Sequence, residues 1–190
     1  MANKGRSQGR WGKTVLLLVM IFVITIVASN KDILLRTLYP APYYDEIAPL
    51  CQEFGEELAL VLALIQTESR FRETALSSRG AVGLMQVMPD TAQWMADQLG
   101  LEDYKAENLH ERQWNLKLGI AYLHYLRQQF PGSLVQALAA YNAGPTKVRS
   151  WLGEGQWDGS RENLEEIPYK ETRNYVEKVM DRYEAYRRIY

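Results

Sequence analysis

Leu58-Ala59-Leu60-Val61-Leu62-Ala63-Leu64-Ile65-Gln66-Thr67-Glu68-Ser69 is the stretch on which the fold turns. Its first eight residues are apolar without a break. A helix built from them is hydrophobic on every face, which suits a core helix and not a surface one. The segment from Glu56 to Ser69 is therefore expected to form the central helix of its domain. Glu68 stands at its end. Burial disfavours a carboxylate anion, and so does the negative end of a helix that stops near Ser69. Both push the pKa upward, and a carboxyl group that stays protonated near neutral pH can serve as a general acid. The plainer alternative is a carboxylate that snorkels to the surface or pairs with Arg70 or Arg72.

Outward from this helix, the periodicity is helical nearly everywhere. Tyr43 to Phe54 is a candidate helix with Pro49 as a doubtful point inside it and Gly55 as its end. Arg79-Gly80-Ala81-Val82-Gly83 breaks the pattern as a loop. Pro89 suits the first turn of the next helix and Gly100 its end. Glu111 to Phe130 is a longer helix, stopped by Pro131-Gly132. Ser133 caps another, which ends at Ala143-Gly144-Pro145. Pro145 to Leu152 is short, Gly153 to Gly159 is loop, and a last helix spans Tyr169 to Arg188. No run alternates long enough to require a sheet, so the expected class is all-α.

The 190 residues, 47% hydrophobic and 24% charged, fit one globular domain plus a short extra segment. That segment is N-terminal. Lys4, Arg6, Arg10 and Lys13 precede every acidic residue, and Thr14 to Ala28 carries no charge. Residues 1–13 are expected to be a basic cytoplasmic terminus. Residues 14–28 are expected to be a transmembrane anchor or, alternatively, a signal cut near Val27-Ala28-Ser29. Residues 29–42 form a linker ending in Tyr39-Pro40-Ala41-Pro42, and residues 43–190 form the domain. A basic N-terminus stays in the cytoplasm, which puts the domain outside the cell membrane, anchored by a single pass or secreted.

After position 30 the chain has 18 basic and 23 acidic residues, a balance of −5. That argues against binding nucleic acid. Cys51 is the sole cysteine and precludes an intrachain disulfide; a buried thiol is expected. With His110 and His124 as the only histidines, the usual zinc ligand sets are out of reach.

Four separated segments hold residue types that a helical core does not need. They are Glu68-Ser69; Ser77 followed by Gly80-Ala81-Val82-Gly83-Leu84-Met85-Gln86-Val87-Met88-Pro89; Ala140-Tyr141-Asn142-Ala143-Gly144-Pro145; and Ile167-Pro168-Tyr169-Lys170-Glu171-Thr172-Arg173-Asn174-Tyr175-Val176. Read singly, each has a bland explanation. The glycines make an ordinary turn, Gln86 is solvated, and Met85 and Met88 fill core. Together they resemble the catalytic domain of the soluble lytic murein transglycosylase family, a fold related to goose-type lysozyme, from about residue 45 onward.

The resemblance implies a lysozyme-like helical domain acting on peptidoglycan glycan strands. Glu68 matches the catalytic acid. Ser77 matches a serine on the substrate N-acetyl group, Gln86 and Met88 match groove residues, and Tyr141 with Asn142 lies near the reacting sugar. Glu171 and Tyr175 match a last motif bordering the cleft. The implied reaction breaks the β-1,4 bond between N-acetylmuramic acid and N-acetylglucosamine and leaves a 1,6-anhydro ring. Glu68 serves as acid and then base, and no metal or organic cofactor is called for. Two alternatives stand beside it: a goose-type lysozyme-like hydrolase, and a non-catalytic, membrane-tethered glycan-binding module. Oligomeric state is not legible.

Overall fold

Ala59 to Ile65, seven residues in succession, are buried on all sides of one helix, as the uninterrupted apolar run requires. Each buried Leu, Val or Ile side chain contributes about 1.5–3 kcal/mol relative to exposure. The structure is a computed structural model that describes residues 6–29 and 31–190, with the side chains of 6–10, 24, 26–29 and 31–33 outside the described set. The chain divides after Pro40 into two units.

The first unit holds α1, Arg6–Ser29, and α2, Lys31–Leu38. The side chains from Val15 to Val23 are all at least half exposed. Among the described residues no helix is long and apolar enough to cross a membrane. The transmembrane helix expected over 14–28 is therefore not supported by the structure. The charge-free run from Thr14 to Ala28 is itself shorter than the ~20 residues of a full span, and the side chains of 24 and 26–28 lie outside the described residues. α2 occupies most of the stretch expected to be a linker. The prolines at 40 and 42 end that helix rather than prevent it, because Pro disrupts the residues before it and not a whole segment.

The second unit is all-helical, the lysozyme-like architecture expected from the sequence. It runs α3 Tyr44–Phe54, α4 Leu58–Glu68, α5 Pro89–Gln98, α6 Arg112–Gln129, α7 Leu134–Ala143, α8 Pro145–Gly153 and α9 Lys170–Tyr186. Short 3₁₀ turns lie at Ala106–His110 and Leu164–Glu166. α4 packs most extensively on α9, and α7 packs on α6, α8 and α9. Pro49 is accommodated inside α3, which Gly55 ends with φ 68°. Pro89 opens α5, and the Ser133 hydroxyl accepts from Gln136 N–H at 3.3 Å to cap α7. Residues 69–88 form a long irregular loop held by two isolated bridges, Leu76 to Val82 and Val82 to Val87.

On a face of its own, the buried Glu56 carboxylate accepts from Arg127 Nη1 at 2.7 Å and lies 3.1 Å from His124 Nδ1. This network uses one of the two histidines structurally. Cys51 is buried between helices, and burial pushes its thiol up to about 12, an inert state.

Candidate active site

Glu68 is the last residue of α4, where the apolar helix reaches the surface of the core. Its Oε1 accepts a hydrogen bond of 2.7 Å from the Tyr175 hydroxyl on α9. The residue keeps one edge open to a cavity of about 350 Å³. Even so, its carboxyl is desolvated enough that burial lifts its pKa from 4.5 to about 7, against the lowering effect of the Tyr175 hydroxyl. Arg70 lines the same cavity and Arg72 Nε donates to Ser69 O at 3.1 Å; among the described residues neither forms an ion pair with Glu68, so the pairing alternative is not what the structure has. Thr67, Asn142, Glu171, Asn174, Lys178 and Arg182 complete most of its wall.

A second cavity of about 510 Å³ adjoins the first, since Asn142 and Glu171 line both. Its walls include Gln86, Met88 and Thr91 from one side and Tyr122, Tyr141, Lys147 and Tyr169 from the other. The two cavities form one groove with Glu68 in its smaller part. The phenols of Tyr141 and Tyr175 are both held well above the usual tyrosine range, first by burial and then by the Glu68 charge. Both therefore remain hydrogen-bond donors at any physiological pH.

Buried side chains shape the loop that carries Gln86 and Met88, among them Ser69, whose hydroxyl donates to Leu84 O at 2.7 Å. Asn115 of α6 accepts from Met85 N–H at 2.9 Å and donates to Val82 O at 2.8 Å and Leu109 O at 3.2 Å. Gly83 has φ 76°, and a Cβ there would lie 2.4 Å from Asn115 Nδ2. No other residue fits that approach. Gln86 also sits at positive φ, 49°, which costs a non-glycine residue ~1 kcal/mol or more. Its Nε2 offsets this by donating to Ala75 O and Gly83 O at 3.1 and 3.0 Å.

Of the residues singled out from sequence, Gln86, Met88, Tyr141, Asn142 and Glu171 line the larger cavity, and Glu68, Asn142, Glu171 and Tyr175 line the smaller. Ser77 lines neither. Its hydroxyl accepts from Ala81 N–H at 2.9 Å and Arg79 N–H at 3.3 Å, closing its own turn. The Tyr141 hydroxyl donates to Met85 O at 2.9 Å, which ties it to the loop and leaves its oxygen able to accept. Asn142 Oδ1 accepts from Thr172 at 2.8 Å, which leaves its amide N–H₂ to donate. Arg79 reaches Glu171 at 3.3 Å between two exposed side chains. Asn115 escaped the sequence reading: a lone Asn inside a helix carries no local signal of partners 30 residues away. Among the described residues no cluster of three or more His, Cys, Asp or Glu could hold a metal ion.

Comparison with known proteins identifies the family and the fold. Residues 48–164 match the family model "Transglycosylase SLT domain". The soluble lytic murein transglycosylase of Salmonella typhimurium is 37% identical over 153 residues, covering 79% of this chain and 23% of that protein. The 70 kDa soluble lytic transglycosylase SLT70 of Escherichia coli superposes with a TM-score of 0.76 at 33% identity, over 81% of this chain and 25% of its own. An inactive Glu-to-Gln mutant of the Pseudomonas aeruginosa lytic transglycosylase Slt gives 0.73 at 34%, over 81% of this chain and 25% of its own. The chain belongs to the transglycosylase SLT domain family. It spans about a quarter of the length of these three relatives.

Proposed function

We propose that the chain is a peptidoglycan lytic transglycosylase with Glu68 as its acid and base. The observation that carries this is a carboxyl group at the wall of a groove, lifted by burial to about 7 and held by a phenol that cannot take its proton. Such a group is protonated for a useful fraction of molecules at neutral pH and can also act as a base once ionised. The names of the relatives supply the substrate class.

In the first step the Glu68 proton passes to the glycosidic oxygen, and the bond from that oxygen to C1 of N-acetylmuramic acid breaks. N-acetylglucosamine leaves with a free C4 hydroxyl. The acetamido carbonyl of the muramic acid supports C1, doing the work of a second carboxylate. In the second step ionised Glu68 takes the proton of the C6 hydroxyl, and O6 bonds to C1. The 1,6-anhydro ring closes, Glu68 is protonated again, and no water is consumed. In this reading the amide N–H₂ of Asn142, whose Oδ1 accepts from Thr172, holds the acetamido group. The Tyr141 ring, Gln86 and Met88 supply the groove, and Ser77 shapes the loop beside it.

Glu171 supports a second reading. Its carboxylate lines the same cavity as Glu68, so a water activated by Glu171 would make the protein a hydrolase. Product mass separates the two on purified peptidoglycan. Anhydro ends from the wild type and from E171Q, with none from E68Q, support the lyase; reducing ends that vanish with E171Q support the hydrolase. Attachment to the cell membrane, with the domain outside, belongs to the same proposal. It is supported by the charge-free run of 14–28 behind four basic residues and by the exposure of Val15–Val23, apolar surface that water disfavours.

A further inference from the structure

Six large apolar side chains of the second unit stand more than a third exposed: Tyr44, Leu76, Met88, Trp94, Tyr169 and Tyr190. Met88 and Tyr169 line the groove. Trp94 does not, but it stands on α5, the helix that supplies Thr91 to one wall. Thr91 on α5 and Tyr122 on α6 both face the larger cavity. Trp94 and Tyr125 each follow three residues later on the same two helices. One helical turn further along, they fall on the same side as the groove residues before them.

The rings are in contact. Trp94 meets Tyr125 at 4.7 Å between centroids and 75° between planes. Tyr125 lies 6.4 Å from Tyr122 at 14°, and Tyr122 lies 5.4 Å from Tyr141. A row of four aromatic rings thus runs from the inner groove to the surface. Packing α5 on α6 explains an aromatic contact there. It does not explain why the indole is left 37% exposed while Trp151 and Trp157 are 6% and 1% exposed. A perpendicular contact engages Trp94 from one side only and leaves ring surface open. Pyranose rings present C–H faces that pack on such surfaces, and their hydroxyls accept from an indole N–H.

We propose that Trp94, backed by Tyr125, is an outer stacking subsite for a further sugar ring of the glycan strand, beyond the groove at Tyr122 and Tyr141. The inference rests on the proposed glycan-cleaving function. It predicts that long strands bind better than strands too short to reach Trp94.

The test uses the full chain carrying E68Q, so that binding is read without turnover. Glycan strands freed of peptides by an amidase and fractionated by length are titrated calorimetrically. Long strands should bind more tightly than short ones, and W94A should weaken long-strand binding about five- to tenfold and abolish that advantage. W94L keeps apolar volume against Tyr125 and removes the flat face; it should behave like W94A, while W94F should retain part of the advantage. W94L therefore decides the matter if W94A fails to fold. A length advantage that survives W94L, or none in the parent, overturns the outer subsite and leaves the proposed function standing. A parent that binds no strand of any length overturns both.

Discussion

The Tyr175 hydroxyl donates to Glu68 Oε1 at 2.7 Å, joining the end of α4 to the face of α9 across 107 positions of sequence. The bond stabilises the ionised form of Glu68, while burial stabilises the neutral form and prevails. Removing it should shift that balance. In Y175F the pKa of Glu68 should rise above about 7, by ~1 unit for a lost hydrogen bond to a charged group. A general acid works while protonated, so the alkaline limb of kcat/KM should move up by the same amount. A pH–rate profile of Y175F beside the wild type checks this; an unmoved limb would mean that another group sets it.

The raised pKa also has a cost in stability. Between pH 4.5 and about 7 the folded protein holds a proton on Glu68 that the unfolded chain has lost. Stability therefore falls as pH rises through this window, and the full penalty applies above it. It amounts to on the order of 3 kcal/mol for such a shift. E68Q carries no charge there and can still accept from Tyr175. Thermal denaturation should find E68Q more stable than the wild type at pH 8, with the gain shrinking toward pH 4.5.

Asn115 and Gly83 act as a pair. N115A would leave Met85 N–H, Val82 O and Leu109 O without their side-chain partner in a buried place, at about 3 kcal/mol. G83A would place a methyl group against Asn115 at a φ of 76°, with a loss of about 2 kcal/mol or more. Because the same loop carries Gln86 and Met88, both variants should also lose activity at temperatures where they remain folded. Chemical denaturation alongside turnover tests this.

The Arg79–Glu171 bridge should matter little to stability. Its side chains are 75% and 64% exposed, a setting in which an ion pair contributes under about 1 kcal/mol. R79A should shift the denaturation midpoint barely beyond error, and added salt should shrink the difference further.

What the sequence made legible follows the range of each interaction. Gly55, Pro89 and Ser133 mark helix ends through contacts within four residues, and those ends lie where they were expected. The core helix was legible because its apolar run exceeds anything a surface helix tolerates. The helix over Lys31–Leu38 is hidden by the prolines that follow it, which mark a linker over a longer stretch than they control. The Tyr175–Glu68 bond, the Asn115 bonds and the Tyr141 bond to Met85 O depend on packing of distant helices, which no local pattern encodes. Ser77 has a local role that its neighbours in sequence do encode: its hydroxyl accepts from Ala81 N–H four residues on.

The claim that Glu68 runs both steps without water is tested most directly by digesting purified peptidoglycan in water labelled with heavy oxygen. The released fragments are then weighed by mass spectrometry, for the wild type and E68Q. The account predicts wild-type fragments ending in 1,6-anhydromuramic acid, with no label at the new end, and no fragments from E68Q. Labelled reducing ends from the wild type would show that water attacks C1 and would contradict the intramolecular closure.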